Sequence, residues 1–391
     1  MQDPKIKGSR TKWTVLGLHT DFSRMVKVVV RLVALTSAVV LLATPGFPQG
    51  VQRSPAALAA AGWAAIEERR FGDALEAFTA AAGPGRSDPS LCTGAGFAAF
   101  MLGQDAEAQS WLEQALKLVP QNTDASLLLG ELHHRAGRVG EAVSTYEAAL
   151  KHAPNEPVLN NKLGQWRKDA TVRAGSYESR GAHFSVLFQG PADETIARRA
   201  VEMLEETYWR VGAALTTYPT RTITVVLYTE EQFRDITLSP AWAAGSYDGT
   251  IRIPTRGALD QPEELERILA HEFVHAVVAT IGGRGVPAWL NEGLASMLEP
   301  EADVEQAAAL IGPHRISLSQ LERGFGRLTA AQAQHAYAQS MLAVQKAVQL
   351  RGTPAIVTLL EDIRRGVPFA SAFYQRLSMR YEDFQLMVER Q

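Results

Sequence analysis

The residues best suited to chemistry lie in 269–276, LAHEFVHA, which contains His271-Glu272-x-x-His275. On an α-helix, four residues turn the chain by roughly 400°, so the two imidazoles leave one face a turn apart. Two neutral imidazoles placed in this way can chelate a single Zn²⁺. Glu272 borders that face, within reach of a water held by the metal, where a carboxylate can take a proton and return it. Zinc needs a third protein ligand. The chain has one cysteine, Cys92, so a thiolate set and an intrachain disulfide are both ruled out, and the ligands must come from histidines and carboxylates. Downstream, 286–299 reads VPAWLNEGLASMLE: Pro287 opens a helix, and Glu292 follows His275 by a gap that suits a loop and a returning antiparallel helix. A carboxylate as third ligand leaves an open position for water.

Other elements must hold these residues in place. Asp260 and Glu263 form a D-x-x-E cap with Pro262 in the first turn, and Gly282-Gly283 end the same helix. Upstream, 183–188 (HFSVLF) and 222–228 (TITVVLY) read as strands, the second rich in β-branched residues. An amphipathic helix is expected over 193–215 and a short one over 230–236. In 246–254 (SYDGTIRIP) an Asp248-Gly249 turn precedes the alternating Ile251 and Ile253. A small sheet therefore comes first and helices follow to the end of the chain. Trp289 is expected to pack the second helix beneath the site, and His314 reads as a loop residue.

HEFVH followed by WLNEGLA resembles the gluzincin group of zinc peptidases, and specifically the bacterial peptidase MA-like family, over about 180–391. The resemblance implies a zincin-like α+β domain with a small mixed sheet and active-site helices. It implies zinc as cofactor, His271, His275 and Glu292 as ligands, and Glu272 as general base. It also implies that 246–254 is the edge strand along which substrate backbone pairs. A tyrosine on a later helix is expected to donate to the oxyanion; the AYAQS segment makes Tyr337 the candidate, with His335 the competing electrophile. Two departures stand out. The aspartate that many gluzincins place four residues after the glutamate ligand, to orient the first histidine, is Ser296 here, leaving Asn291 or Glu299 for that role. The glycine-rich acidic motif by which aminopeptidases hold a free N-terminus is not visible, which favours an endopeptidase over the aminopeptidase alternative.

The first half follows a different rule. Gly62, Gly96, Gly130 and Gly164 recur every 34 residues, as do Ala74, Ala108 and Ala142; Phe78, Leu112 and Tyr146; Ala81, Ala115 and Ala149; and Pro120 and Pro154. This register resembles the tetratricopeptide repeat. Glycine and alanine let two antiparallel helices approach, the bulky residue fills the space beneath, and proline stops the second helix. Repeats are expected over 55–170, with Gly164 opening a capping helix that ends near 170, and with Arg69 and Arg86 departing from the pattern in the first repeat. The resemblance implies a solenoid whose concave face recruits a protein substrate or adaptor; the alternative is a spacer that only positions the second domain. Cys92 reads as a small buried hydrophobe, and His133 and His134 as surface residues. A polar stretch, 173–180, separates the halves.

Composition excludes several classes. With 46% hydrophobic and 21% charged residues, the chain is neither disordered, collagen-like nor a polytopic membrane protein. Its 39 basic against 42 acidic residues leave a net charge of −3, without the basic excess that a nucleic-acid partner would favour. Over 1–50, Arg24, Lys27 and Arg31 precede an apolar run, 32–43, that Pro45, Gly46 and Pro48 end. That is the pattern of a secretory signal, with Met25 as the start and 1–24 an upstream extension. It predicts export to a bacterial periplasm or cell envelope, with an uncleaved membrane anchor as the alternative; no cysteine follows the run directly, which excludes a lipoprotein. Together these readings predict a tetratricopeptide solenoid followed by a zinc peptidase domain acting on protein or peptide. The alternative from another class is a binding scaffold whose zinc domain is structural or inactive.

Overall fold

A computed structural model of the chain describes residues 54–240, 243–255, 261–311 and 315–390. The apolar run before Pro45, the start at Met25, the cap at Asp260, and His314 lie outside the described residues. Among the described residues no helix is long and apolar enough to cross a membrane.

Six helices stack in three antiparallel pairs: Pro55–Glu67 with Phe71–Ala82, Pro89–Met101 with Asp105–Leu118, and Thr123–Arg135 with Val139–Leu150. Local sequence starts each first helix: Ser54, Asp88 and Asn122 accept hydrogen bonds from the opening backbone amides. The 34-residue period is a packing period. A Cβ on Gly62 would lie 2.8 Å from the Phe78 ring, one on Gly96 2.7 Å from Leu112, and one on Gly130 2.2 Å from Tyr146. The three bulky residues are fully buried, each contributing about 1.5–3 kcal/mol of apolar burial. A Cβ on Gly164 would meet nothing within 4 Å; its helix, Pro157–Ala174, caps the array and is followed by a strand rather than by a second repeat helix. Cys92 is fully buried. Gly103 and Gly137 take left-handed backbone in the turns of the second and third repeats, and Arg69 takes it at the same place in the first, a conformation that costs a non-glycine residue roughly 1–2 kcal/mol.

The capping helix runs past the expected 170 to Ala174, and the polar stretch after it is no linker: Tyr177–Arg180 is strand β1. It pairs antiparallel with β2 (Phe184–Phe188), which runs parallel to β3 (Ile223–Tyr228). β3 runs parallel to β5 (Ile251–Pro254), and β5 pairs antiparallel with β4 (Ser246–Tyr247). The order is therefore β1-β2-β3-β5-β4. The sequence YESR hides β1 because an outer strand with mostly exposed side chains needs no apolar alternation. The expectation of one edge strand over 246–254 needs correcting. The turn at Asp248 and Gly249, with Gly249 at φ 105°, folds this segment into a hairpin. β5 thus lies inside the sheet, and within this segment only the short β4 is at an edge, the sheet's other edge being β1.

Helix Glu194–Leu215 covers the sheet with a stripe that includes Ala197, Ala200, Leu204 and Val211, and packs on helix Pro262–Gly282. The latter holds the HExxH residues; Gln261 is its N-cap, and Gly283 at φ 70° closes it. Helix Ala288–Met297 returns beside it and is crossed by Ala330–Arg351. At that crossing a Cβ on Gly293 would lie 2.3 Å from the Ser340 carbonyl, so the glycine of the NEG triplet is what lets these two helices touch. Trp289 is fully buried below, donating from Nε1 to the Tyr381 hydroxyl at 2.9 Å and packing against Phe369 and Phe384.

Candidate metal centre

His271, His275 and Glu292 converge, each offering one ligand atom within 4.8 Å of the others. They are among the most enclosed polar residues of the domain, at 1%, 3% and 1% exposure. Glu292 Oε2 lies 3.3 Å from Nε2 of both histidines. The outer nitrogens are held. His271 Nδ1 meets Glu299 Oε1 at 2.7 Å, and His275 Nδ1 meets Asn291 Oδ1 at 3.0 Å. A carboxylate and an amide oxygen only accept, so both Nδ1 atoms carry a hydrogen and both Nε2 atoms face Glu292, the atoms each ring could offer a metal. Asn291 and Glu299 thus share the orienting work for which Ser296 is unsuited. Glu299 also accepts from Arg267 Nη1 at 3.0 Å, and Arg267 is clamped by Glu264. An outer partner of this kind typically contributes 10–100-fold to metal affinity, so Glu299→Ala should weaken zinc binding by about that factor. Competition with a chelating dye measures it; unchanged affinity would remove Glu299 from the site.

Glu272 is fully buried on the same helix, and neither of its carboxylate oxygens has a hydrogen-bond partner; His275 Nε2 has none either. Buried polar atoms left so are costly, and a cation with its water accounts for all three. Two imidazole nitrogens and one carboxylate are a donor set that suits zinc. The chain backbone approaches Glu272 closely: a Cβ on Gly245 would sit 2.8 Å from Oε1. Gly245 immediately precedes β4, so the β4 edge of the sheet begins against this carboxylate.

Residues 204–381 match the Peptidase MA superfamily, and residues 99–165 match the tetratricopeptide repeat. Over residues 204–381 the chain is therefore similar to the Peptidase MA superfamily. No curated protein matches the chain at a significant level. Among solved structures, the first TPR of Spaghetti (RPAP3) bound to an HSP90 peptide is 23% identical, covering 30% of this chain and 96% of its own, with a TM-score of 0.29. The domain's family is one of peptidases, and the repeats are of a kind that binds proteins or peptides.

Electrostatics in the peptidase MA domain follow from burial and neighbours. Burial would lower the His271 pKa, but its hydrogen bonds to Glu292 and Glu299 outweigh burial and push it up to about 9. Burial works upward on Glu292, yet His275 and His271 hold it at about 2. Burial pushes the Glu272 carboxyl well above the usual carboxylate range; Glu292, Asp248 and Glu299 add to this and His271 opposes it. Without a cation, then, His271 holds a proton that a divalent ion on its Nε2 would displace.

Tyr337 is buried on helix Ala330–Arg351, its ring edge-on to His271 with centroids 5.9 Å apart and against Phe325 at 5.1 Å. His335, two residues earlier, hydrogen-bonds through Nδ1 to the Ala331 carbonyl of its own helix. The reading of His133 and His134 as surface residues is wrong: both are buried. His134 stacks on Trp166 and lies 3.6 Å from Asp169 and 3.7 Å from Asp248. Asp248 is more than a hundred residues away in sequence, so no local spacing could reveal the burial.

Proposed function

We propose that this chain is a zinc-dependent endopeptidase of the cell envelope, with His271, His275 and Glu292 as ligands and Glu272 as general base. The observation that carries the reading is the buried convergence of two Nε2 atoms and one carboxylate beside a second, unpartnered carboxylate. A zinc ion held there would supply Lewis acidity to a water and to the scissile carbonyl. Glu272 takes the proton of that water and returns it to the leaving amine. The Tyr337 hydroxyl donates to the developing oxyanion. Glu299 and Asn291 keep both imidazoles in the tautomer that binds metal. Substrate backbone pairs along β4, which runs from Gly245 beside Glu272. The repeats bring a protein substrate or adaptor to the domain, and the N-terminal basic and apolar segment exports it.

Digestion of a proteome-derived peptide library tests this directly. Internal cleavage that stops with chelator and returns with zinc is the expected result. Removal of single N-terminal residues would favour the aminopeptidase alternative, and zinc binding without cleavage would leave a scaffold.

A further inference from the structure

The three turns that join the helices of each repeat all face the peptidase MA domain. In the first, Arg69 donates from Nη2 to the Gly285 carbonyl at 3.2 Å, keeping its left-handed backbone, and a Cβ on Gly72 would lie 2.4 Å from the Gly366 carbonyl. In the second, the Met101 carbonyl accepts from the Arg284 amide at 2.8 Å, and the Arg284 side chain reaches the Phe100 carbonyl and Asp105. In the third, a Cβ on Gly249 would lie 2.1 Å from the Arg135 carbonyl. Two of these contact sites frame the metal cluster. Gly283–Gly285 joins the two ligand helices, and Asp248-Gly249 is the turn of the β4–β5 hairpin.

Behind the hairpin lies a buried lattice of charge. Asp169, at 0% exposure on the capping helix, accepts from the Tyr228 hydroxyl at 2.5 Å, Arg173 Nε at 2.9 Å and Arg252 Nη2 at 3.2 Å. Arg252, on β5, also pairs with Asp248, and Arg173 donates to Thr250 Oγ1 at 3.2 Å. His134 of the third repeat closes the group beside Asp169, Asp248 and Arg252. Two aspartates balance two arginines, which is what permits their burial. Asp248, Thr250 and Arg252 all belong to the hairpin that carries the β4 edge. Helix Pro89–Met101 of the second repeat is buried from Leu91 to its end.

The geometry points to a role in cis for the repeats: His134 and Asp169 are positioning residues that hold the β4–β5 hairpin, and so the substrate-pairing edge, in register beside Glu272. This rests on the peptidase reading for its consequence, not for its geometry. The chemistry is that of a balanced carboxylate–guanidinium lattice, in which removing one member leaves the other charges buried and uncompensated.

The test uses the full chain with Asp169→Asn and, as a milder change, His134→Gln. Hydrogen exchange is followed by mass spectrometry, with zinc content and steady-state kinetics on a quenched peptide cut by the wild type. Zinc content should stay at the wild-type level. Exchange over 246–254 should accelerate by about tenfold while the β2–β3 ladder keeps its protection. KM should rise by about tenfold, with kcat nearly unchanged. Unchanged hairpin exchange and KM in a folded, zinc-loaded variant overturn the proposal. If Asp169→Asn does not fold, His134→Gln decides alone by the same criteria. A wild type that cuts no peptide refutes the peptidase reading, and the exchange result still decides whether the repeats brace the hairpin.

Discussion

Glu272→Gln is expected to keep its zinc and lose turnover by about 10²–10⁴-fold, the range that a positioned general base contributes. The amide has nearly the volume of the carboxylate, so it fits the space between the HExxH helix and Gly245, where a Cβ would already crowd Oε1 at 2.8 Å. It cannot accept a proton from water and hand it on. Glu272 is not among the three converging ligand residues, so metal content should stay at the wild-type level by elemental analysis. The separation of the two readouts is the informative part. A variant that hydrolyses peptide at the wild-type rate would end the base assignment; one that loses zinc would make Glu272 a ligand instead.

His275→Ala should lose the metal outright, a larger effect than the roughly 10–100-fold expected for an outer partner such as Glu299. Two donors would remain of a set of three, and the buried Glu292 carboxylate would lose the neighbour that does most to hold its pKa at about 2. Full zinc retention would refute the ligand set. In the wild type, zinc uptake should be linked to protons in a definite direction. His271 sits at about 9 without metal, above the ordinary value near 6.5, so at neutral pH it carries a proton that zinc must displace. Affinity should therefore rise with pH and level off above about 9, falling about tenfold for each unit below it. Calorimetry in two buffers of different ionisation enthalpy measures the released proton. Identical heats in both buffers at pH 7 would contradict the linkage.

Much of the architecture was legible because it is written at short range. The 34-residue register reports a contact between two helices of one pair, Gly62 with Phe78 and its two copies, and a period of that length survives in sequence. The HExxH spacing is likewise local to one helix. What escaped depends on distant partners. β1 carries no alternation because its side chains are mostly exposed. The interior place of β5 depends on its parallel pairing with β3, more than twenty residues upstream. His134 looks like a surface residue in sequence because Trp166 and Asp169 of the capping helix and Asp248 of the second half reach it only in the folded chain. Glu299 was one of two candidates to orient His271; it lies just past the end of helix Ala288–Met297, where helical spacing no longer decides what it meets.

Only Gly175 and Ser176 separate the capping helix from β1. So short a splice stores no slack. With the first and second repeats also docked through Arg69 and Met101, a twist or pull on the solenoid is shared between the β1–β2 ladder and that docked face rather than absorbed by a swinging tether. Lengthening the splice with flexible residues would relieve the ladder and leave the docked face to carry the load alone.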